Sequence, residues 1–283
     1  MANLRQTVRR LRLGMELKAL RTAKAWKLED AAPLLERSVS GLSKIETGKQ
    51  RLYPRDLLIF FQVYGVTDEA KQEELKELAR TSTKRNWWQP YSGVVRDPLA
   101  DYLSLEEEAR QIGAFGGFLV PGLLQTEAYA HAVVEASRKW EEADQVDKFV
   151  QLRMARKVVL TRSEKPAQLW TVLTEQVVRQ QIGGRDVMKE QLRHLREISR
   201  DMTNVTVQLL PYSAGAHAGL DGSFTIMRFD NSGPIVCVNS LTSSTYVEDE
   251  QLERYETAWD HVKSSAMSPR ETSATLKRLI EDL

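Results

Sequence analysis

The stretch SVSGLSKIETGKQR, Ser38 to Arg51, constrains the fold of this chain more than any other. Ser38 is a residue type that caps a helix N-terminus with its side-chain oxygen. Gly48 is the type that ends a helix by taking a left-handed backbone. The helix between them is short, and Leu42 and Ile45 sit three apart, facing a core. The residues left outward, Val39, Ser40, Gly41, Ser43 and Lys44, are mostly small. Gly41 costs such a helix about 1 kcal/mol relative to alanine. Close approach to base edges in a DNA major groove would offset that cost, and so would contact with another helix. The cations that follow, Lys49 and Arg51, suit phosphate groups.

The charge distribution supports a polyanion partner. Residues 1–65 hold 13 Lys/Arg against 6 Asp/Glu, whereas residues 66–283 hold 27 against 33. A basic module attached to an acidic body follows, which a net charge of +1 conceals. Cys237 is the single cysteine, so an internal disulfide framework is excluded and a reducing, cytoplasmic setting is expected. The opening MANLRQTVRRLRLGM lacks the apolar core of a signal peptide. The uncharged stretch Ile112 to Gln125 holds four glycines and a proline and is too short to span a bilayer, so no membrane partner is expected.

Upstream, Leu13, Leu17 and Leu20 mark one stripe of a helix running to about Ala23, and LEDAAPLL suits a second short helix. With these in place, AWKLEDAAPLLERSVSGLSKIETGK resembles the XRE-type helix-turn-helix of bacterial and phage regulators. The resemblance implies that Ala32 is the small residue where the second helix crosses the third. It implies that Ser38 to Glu46 is the recognition helix and that Lys49 and Arg51 lie in a phosphate-touching loop. It also implies a structural ion pair between Arg21 and Glu46. Two residues depart from the pattern. Glu36 stands where the turn usually has glycine, which asks for another conformation or tolerated strain. Pro33 falls within the second helix, where it removes a hydrogen bond.

Tyr64-Gly65-Val66 closes the module, giving a DNA-binding domain over 1–66. A helix from Asp68 to about Lys84 and the linker RNWWQPYSGVVRDPL fill 67–97. Trp87 and Trp88 there either pin the linker to a domain or bind a partner. In 98–283, helices are expected at 98–113, 125–138, 144–163, 174–182, 185–200, 248–266 and 268–282. Strands are expected at QLWTVL, VTVQLL, SFTIMRF, PIVCVNS and near STYVE, the late ones forming an antiparallel meander. The fold class is therefore α+β, with an all-α helix-turn-helix domain before a larger mixed domain of antiparallel sheet and flanking helices.

FLVPGLLQTEAYA, TEQVVRQQIGG and NVTVQLLPYSAGAHAGLDGSF together resemble the large domain of unknown function found in antitoxin-like, XRE-type transcriptional regulators. That resemblance implies regulation and a small partner protein encoded by an adjacent gene. Phe118, Leu119 and Leu124, with Trp87 and Trp88, are the partner-binding candidates. A homodimer on a double-stranded operator is expected, because one short helix reads few base pairs. A small-molecule effector bound in the C-terminal domain is the rival reading.

No catalytic set stands out. GLSKIETGK has six residues between its glycines, where a phosphate loop has four. His217 and Asp221 flank glycines in AGAHAGLDGSF, which reads as a hairpin connection before it reads as a catalytic loop. Glu106, Glu107 and Glu108 are consecutive, so a helix points them apart. Neither a metal nor a cofactor is expected, and an enzyme tethered to DNA is the least favoured reading.

Overall fold

The computed structural model describes residues 8–81, 87–95, 97–137, 143–230, 233–239, 244–247 and 251–283. The expected helix end at Lys84, the linker positions Arg85, Asn86 and Arg96, Arg138, and Glu248 to Glu250 lie outside the described residues. The chain divides into two compact units. One comprises Met1–Gln89 with Val95–Ser104, and the other Pro90–Val94 with Leu105–Leu283.

The first unit is helical: α1 (Val8–Ala23), α2 (Leu28–Leu34), α3 (Val39–Glu46), a 3-10 turn (Pro54–Asp56), α4 (Leu57–Tyr64) and α5 (Glu69–Thr81). Leu13 and Leu17 of α1, Leu42 and Ile45 of α3 and Phe60 of α4 share one core. That core does not stop at Val66, because Leu75, Leu78 and Ala79 of α5 belong to it. Lys71 of α5 also bridges Glu16 and Glu74, at 2.7 and 3.1 Å.

Both departures in the α2–α3 region are accommodated locally. The helix α2 keeps Pro33 inside it and ends one residue later, after Leu34. Glu36 takes φ +55°, the left-handed region a glycine would fill, while its neighbour's amide, Arg37 N–H, bonds the Ala32 carbonyl at 2.9 Å. The turn therefore carries the strain of a side chain in that region, about 1–2 kcal/mol.

The second unit follows from α6 (Asp97–Glu108), whose first residues belong to the other unit. In chain order come β1 (Gln111–Gly116), α7 (Glu127–Ser137), α8 (Ala143–Ala155), α9 (Val158–Thr161), β2 (Gln168–Thr174), α10 (Glu175–Arg179), α11 (Arg185–Asp201) and β3 (Val205–Leu210). After these lie β4 (Phe224–Arg228), β5 (Ile235–Asn239), β6 (Ser244–Val247), α12 (Leu252–Ser265) and α13 (Pro269–Asp282). The six strands form one sheet in the order β3-β2-β1-β4-β5-β6. The late strands supply the antiparallel half, as expected, and β1, β2 and β3 add a parallel half. One face buries Phe115, Val172, Phe224 and Ile226 beneath Trp259 and Val262 of α12.

The helix expected over 98–113 is corrected, because it stops at Glu108 and β1 begins at Gln111. Its glycines are the reason a strand fits here. A Cβ on Gly113 would lie 3.0 Å from the Trp259 indole, and one on Gly116 would lie 2.8 Å from the Leu119 carbonyl oxygen. The helix expected over 144–163 is also broken, between α8 and α9. Among the described residues, no helix is long and apolar enough to cross a membrane.

Candidate nucleic-acid interface

The underside of α3 is fixed before its outer face is considered. The Ser38 Oγ accepts the Gly41 amide at 3.0 Å, capping the helix. Leu42, Ile45 and Glu46 are buried. Arg21 of α1 meets Glu46 in a two-pronged pair, Nε to Oε1 at 2.7 Å and Nη2 to Oε2 at 2.9 Å. Its Nη1 donates to the Trp26 carbonyl, tying the α1–α2 turn to the same group. The hydrogen bond to Glu46 holds the Arg21 guanidinium charged, raising its pKa against the pull of burial. Tyr64 packs nearby, and burial followed by the Glu46 charge raises its hydroxyl pKa.

One residue essential to this arrangement escaped sequence reading. Gly14 lies where α1 passes the end of α3, and a Cβ there would come within 2.5 Å of the Ile45 carbonyl oxygen. The signal was a lone glycine inside the Leu13–Leu17–Leu20 stripe, which marks a close helix crossing. Ala32, the expected crossing residue in α2, is also buried.

The outer face of α3 is open. Ser38, Val39, Ser40 and Lys44 are exposed, while Gly41 and Ser43 are partly covered. A Cβ built on Gly41 meets only the Ser38 Oγ, at 3.0 Å. Among the described residues, no other helix packs against Gly41. Gly48, at φ +68°, ends the helix, and the Gln50 amide returns to the Lys44 carbonyl at 2.9 Å. This turn sends Lys49 outward and leaves Arg51 half-buried beside Tyr53. Tyr53 and Arg55 were not singled out in the sequence, where nothing shows that they share a surface with Arg51.

The partner candidates divide. Leu124 is fully buried, which corrects its expected role as an exposed anchor. Its segment is held by a polar network. Arg153 bonds Gln125 at 2.8 Å, and Gln191 accepts the Thr126 amide at 2.7 Å and donates to the Leu124 carbonyl at 2.8 Å. The GLLQTEAYA part of that motif is thus a core feature. Trp88 is also buried, with Trp87 edge-on at 5.6 Å, so Trp88 presents no surface to a partner. Phe118 and Leu119 remain 57% and 40% exposed.

The connection carrying His217 and Asp221 is not a hairpin. Because β4 is antiparallel to β1, the chain from β3 must cross the carboxyl ends of β2 and β1 to reach it. Along that sheet edge, Gly117 N–H donates to Ser223 Oγ at 3.0 Å and Tyr212 N–H to Glu175 Oε2 at 2.9 Å. His217 accepts the Gly219 amide through Nδ1 at 3.1 Å and stands edge-on to Phe115. Tyr212 and Leu220, both more than half exposed, join Phe118 and Leu119 at this edge.

Comparison with known families agrees with the division of the chain. A family model described as a helix-turn-helix domain matches residues 12–75, which run from α1 into α5. A model described as a domain of unknown function, DUF5753, matches residues 99–278, more than half of the chain. The chain belongs to the DUF5753 family. No curated protein and no solved structure matches it. In this DUF5753 protein the helix-turn-helix domain is that of a DNA-binding regulator, and α3 is its exposed, capped third helix.

Proposed function

We propose that this DUF5753 protein is a sequence-specific transcriptional regulator of the XRE type that binds its operator as a two-fold dimer and has no catalytic role. The observation that carries the reading is the open face at Gly41, backed by a buried and ion-paired underside. Ser40 and Lys44 would read base edges, and Lys49 and Arg51 would hold phosphates. Two half-sites about 34 Å apart would supply the specificity that one short helix lacks.

The DUF5753 domain, in this reading, receives a small partner protein encoded beside it. Its support is the sheet edge bearing Phe118, Leu119, Tyr212 and Leu220, exposed apolar side chains on loops held by hydrogen bonds. A small-molecule effector is the second reading. A cavity between α11 and α13, lined by Leu195, Arg196 and Thr272 among others, has about 110 Å³. Pockets for such ligands usually hold about 300–1,000 Å³.

Sedimentation of the intact chain with operator DNA and the neighbouring gene's product tests both parts. Two chains per operator are expected, with the small protein bound and operator affinity changed in its presence. Phe118→Asp should abolish the protein contact and leave DNA binding intact. One chain per operator would contradict the dimer, and a Phe118→Asp complex of wild-type affinity would contradict the docking edge.

A further inference from the structure

We propose that Tyr53 is a positioning residue for the DNA backbone, holding the Arg51 and Arg55 guanidinium groups where phosphate oxygens approach. The inference rests on the DNA-binding reading and extends it to two residues outside the recognition helix and its expected phosphate contacts. The Arg51 Cζ lies 4.4 Å from the Tyr53 ring centroid, and the Arg55 Cζ lies 5.3 Å from it. Tyr53 itself is 44% exposed, so the ring does not serve as core. An aromatic ring attracts guanidinium groups to its face, and stacking leaves their in-plane N–H donors free for an anion.

The segment is braced around the ring. Pro54 opens the 3-10 turn Pro54–Asp56, and the Tyr53 amide bonds the Asp56 carboxylate at 3.4 Å. Arg55 touches the same carboxylate only at 3.7 Å, with its side chain 82% exposed, so its charge stays available. The Arg51 Nε is buried and has no hydrogen-bond partner among the described residues. Arg10 of α1 adds to the crowding, since burial and then the like charge of Arg51 lower its pKa, with Asp101 opposing. Unlike a surface salt-bridge network, this cluster gathers cations around one ring, and a polyanion is what makes that favourable.

The test is binding of the full chain to operator and random duplexes across a salt series, with melting by circular dichroism as the check on folding. Arg55→Ala should flatten the log affinity against log salt slope by about 0.9, one phosphate contact. Tyr53→Ala removes no charge, yet it should also flatten the slope and weaken both duplexes equally, by about tenfold. Tyr53→Phe should bind like wild type, because the ring acts and the hydroxyl does not. Tyr53→Leu, which fills the space without a π face, should behave like Tyr53→Ala, and it serves if the alanine variant does not fold. Wild-type slope and affinity in both Tyr53→Ala and Tyr53→Leu would overturn the proposal, as would a loss confined to the operator. A wild-type chain that binds no duplex would instead overturn the DNA-binding reading, and the proposal with it.

Discussion

Arg21→Ala is expected to cost the helix-turn-helix unit about 3–5 kcal/mol, because it strands the Glu46 carboxylate in a site that excludes water. The two side chains are 9% and 4% exposed, and both oxygens of Glu46 are engaged. The loss extends beyond the pair, since the Trp26 carbonyl also loses its donor. A domain is stable by only about 5–15 kcal/mol, so operator binding at 37 °C should fall together with thermal stability. Melting followed by circular dichroism reads the effect directly. Replacing both partners by apolar residues, Arg21→Met with Glu46→Leu, should recover much of the loss, since a filled apolar site carries no unpaired charge. An Arg21→Ala variant that melts like wild type but loses DNA would mean that the guanidinium contacts DNA instead.

Glu106→Ala should have an effect of similar size in the DUF5753 domain, about 3–5 kcal/mol. Arg156 bonds both Glu106 oxygens at 2.8 Å, with side-chain exposures of 12% and 3%. The guanidinium lies beneath Gly122, where a Cβ would be 3.2 Å from its Nη1, so the site that loses the carboxylate is a crowded one. Glu106→Gln keeps the shape and part of the bonding and should cost less. Melting should show the loss, whereas operator affinity, measured where both units remain folded, should stay at the wild-type value. A Glu106→Ala chain that melts like wild type would contradict the structural role of this pair.

Much of this was legible in the residues because local rules determined it. Ser38 and Gly48 bound α3 by capping chemistry, and the Leu13–Leu17–Leu20 stripe set the face of α1. What depended on distant packing was not legible. The helix expected over 98–113 runs into the strand β1, because the strand's glycines are placed for Trp259 and for the Leu119 carbonyl, which the local sequence does not reveal. Leu124 is an anchor candidate only as an apolar side chain, yet the hydrogen bonds that hold its segment come from Arg153, on α8, and Gln191, on α11. Tyr53 and Arg55 gained a role only when the turn after α3 stacked Arg51 on the ring. In each case the missing information was a partner far off in sequence or a turn in space.

The claim that α3 lays a bare face against base edges is tested most directly by Gly41→Ala. The new methyl group would lie 3.0 Å from the Ser38 Oγ, so the cap must give by a few tenths of an ångström, against the about 1 kcal/mol by which alanine favours the helix over glycine. The two effects oppose, and melting should change little. Affinity for an operator selected from random duplexes should nevertheless fall about tenfold, a loss of about 1.4 kcal/mol, with a smaller change on random DNA. A Gly41→Ala chain that is as stable as wild type and binds its operator equally well would contradict the account.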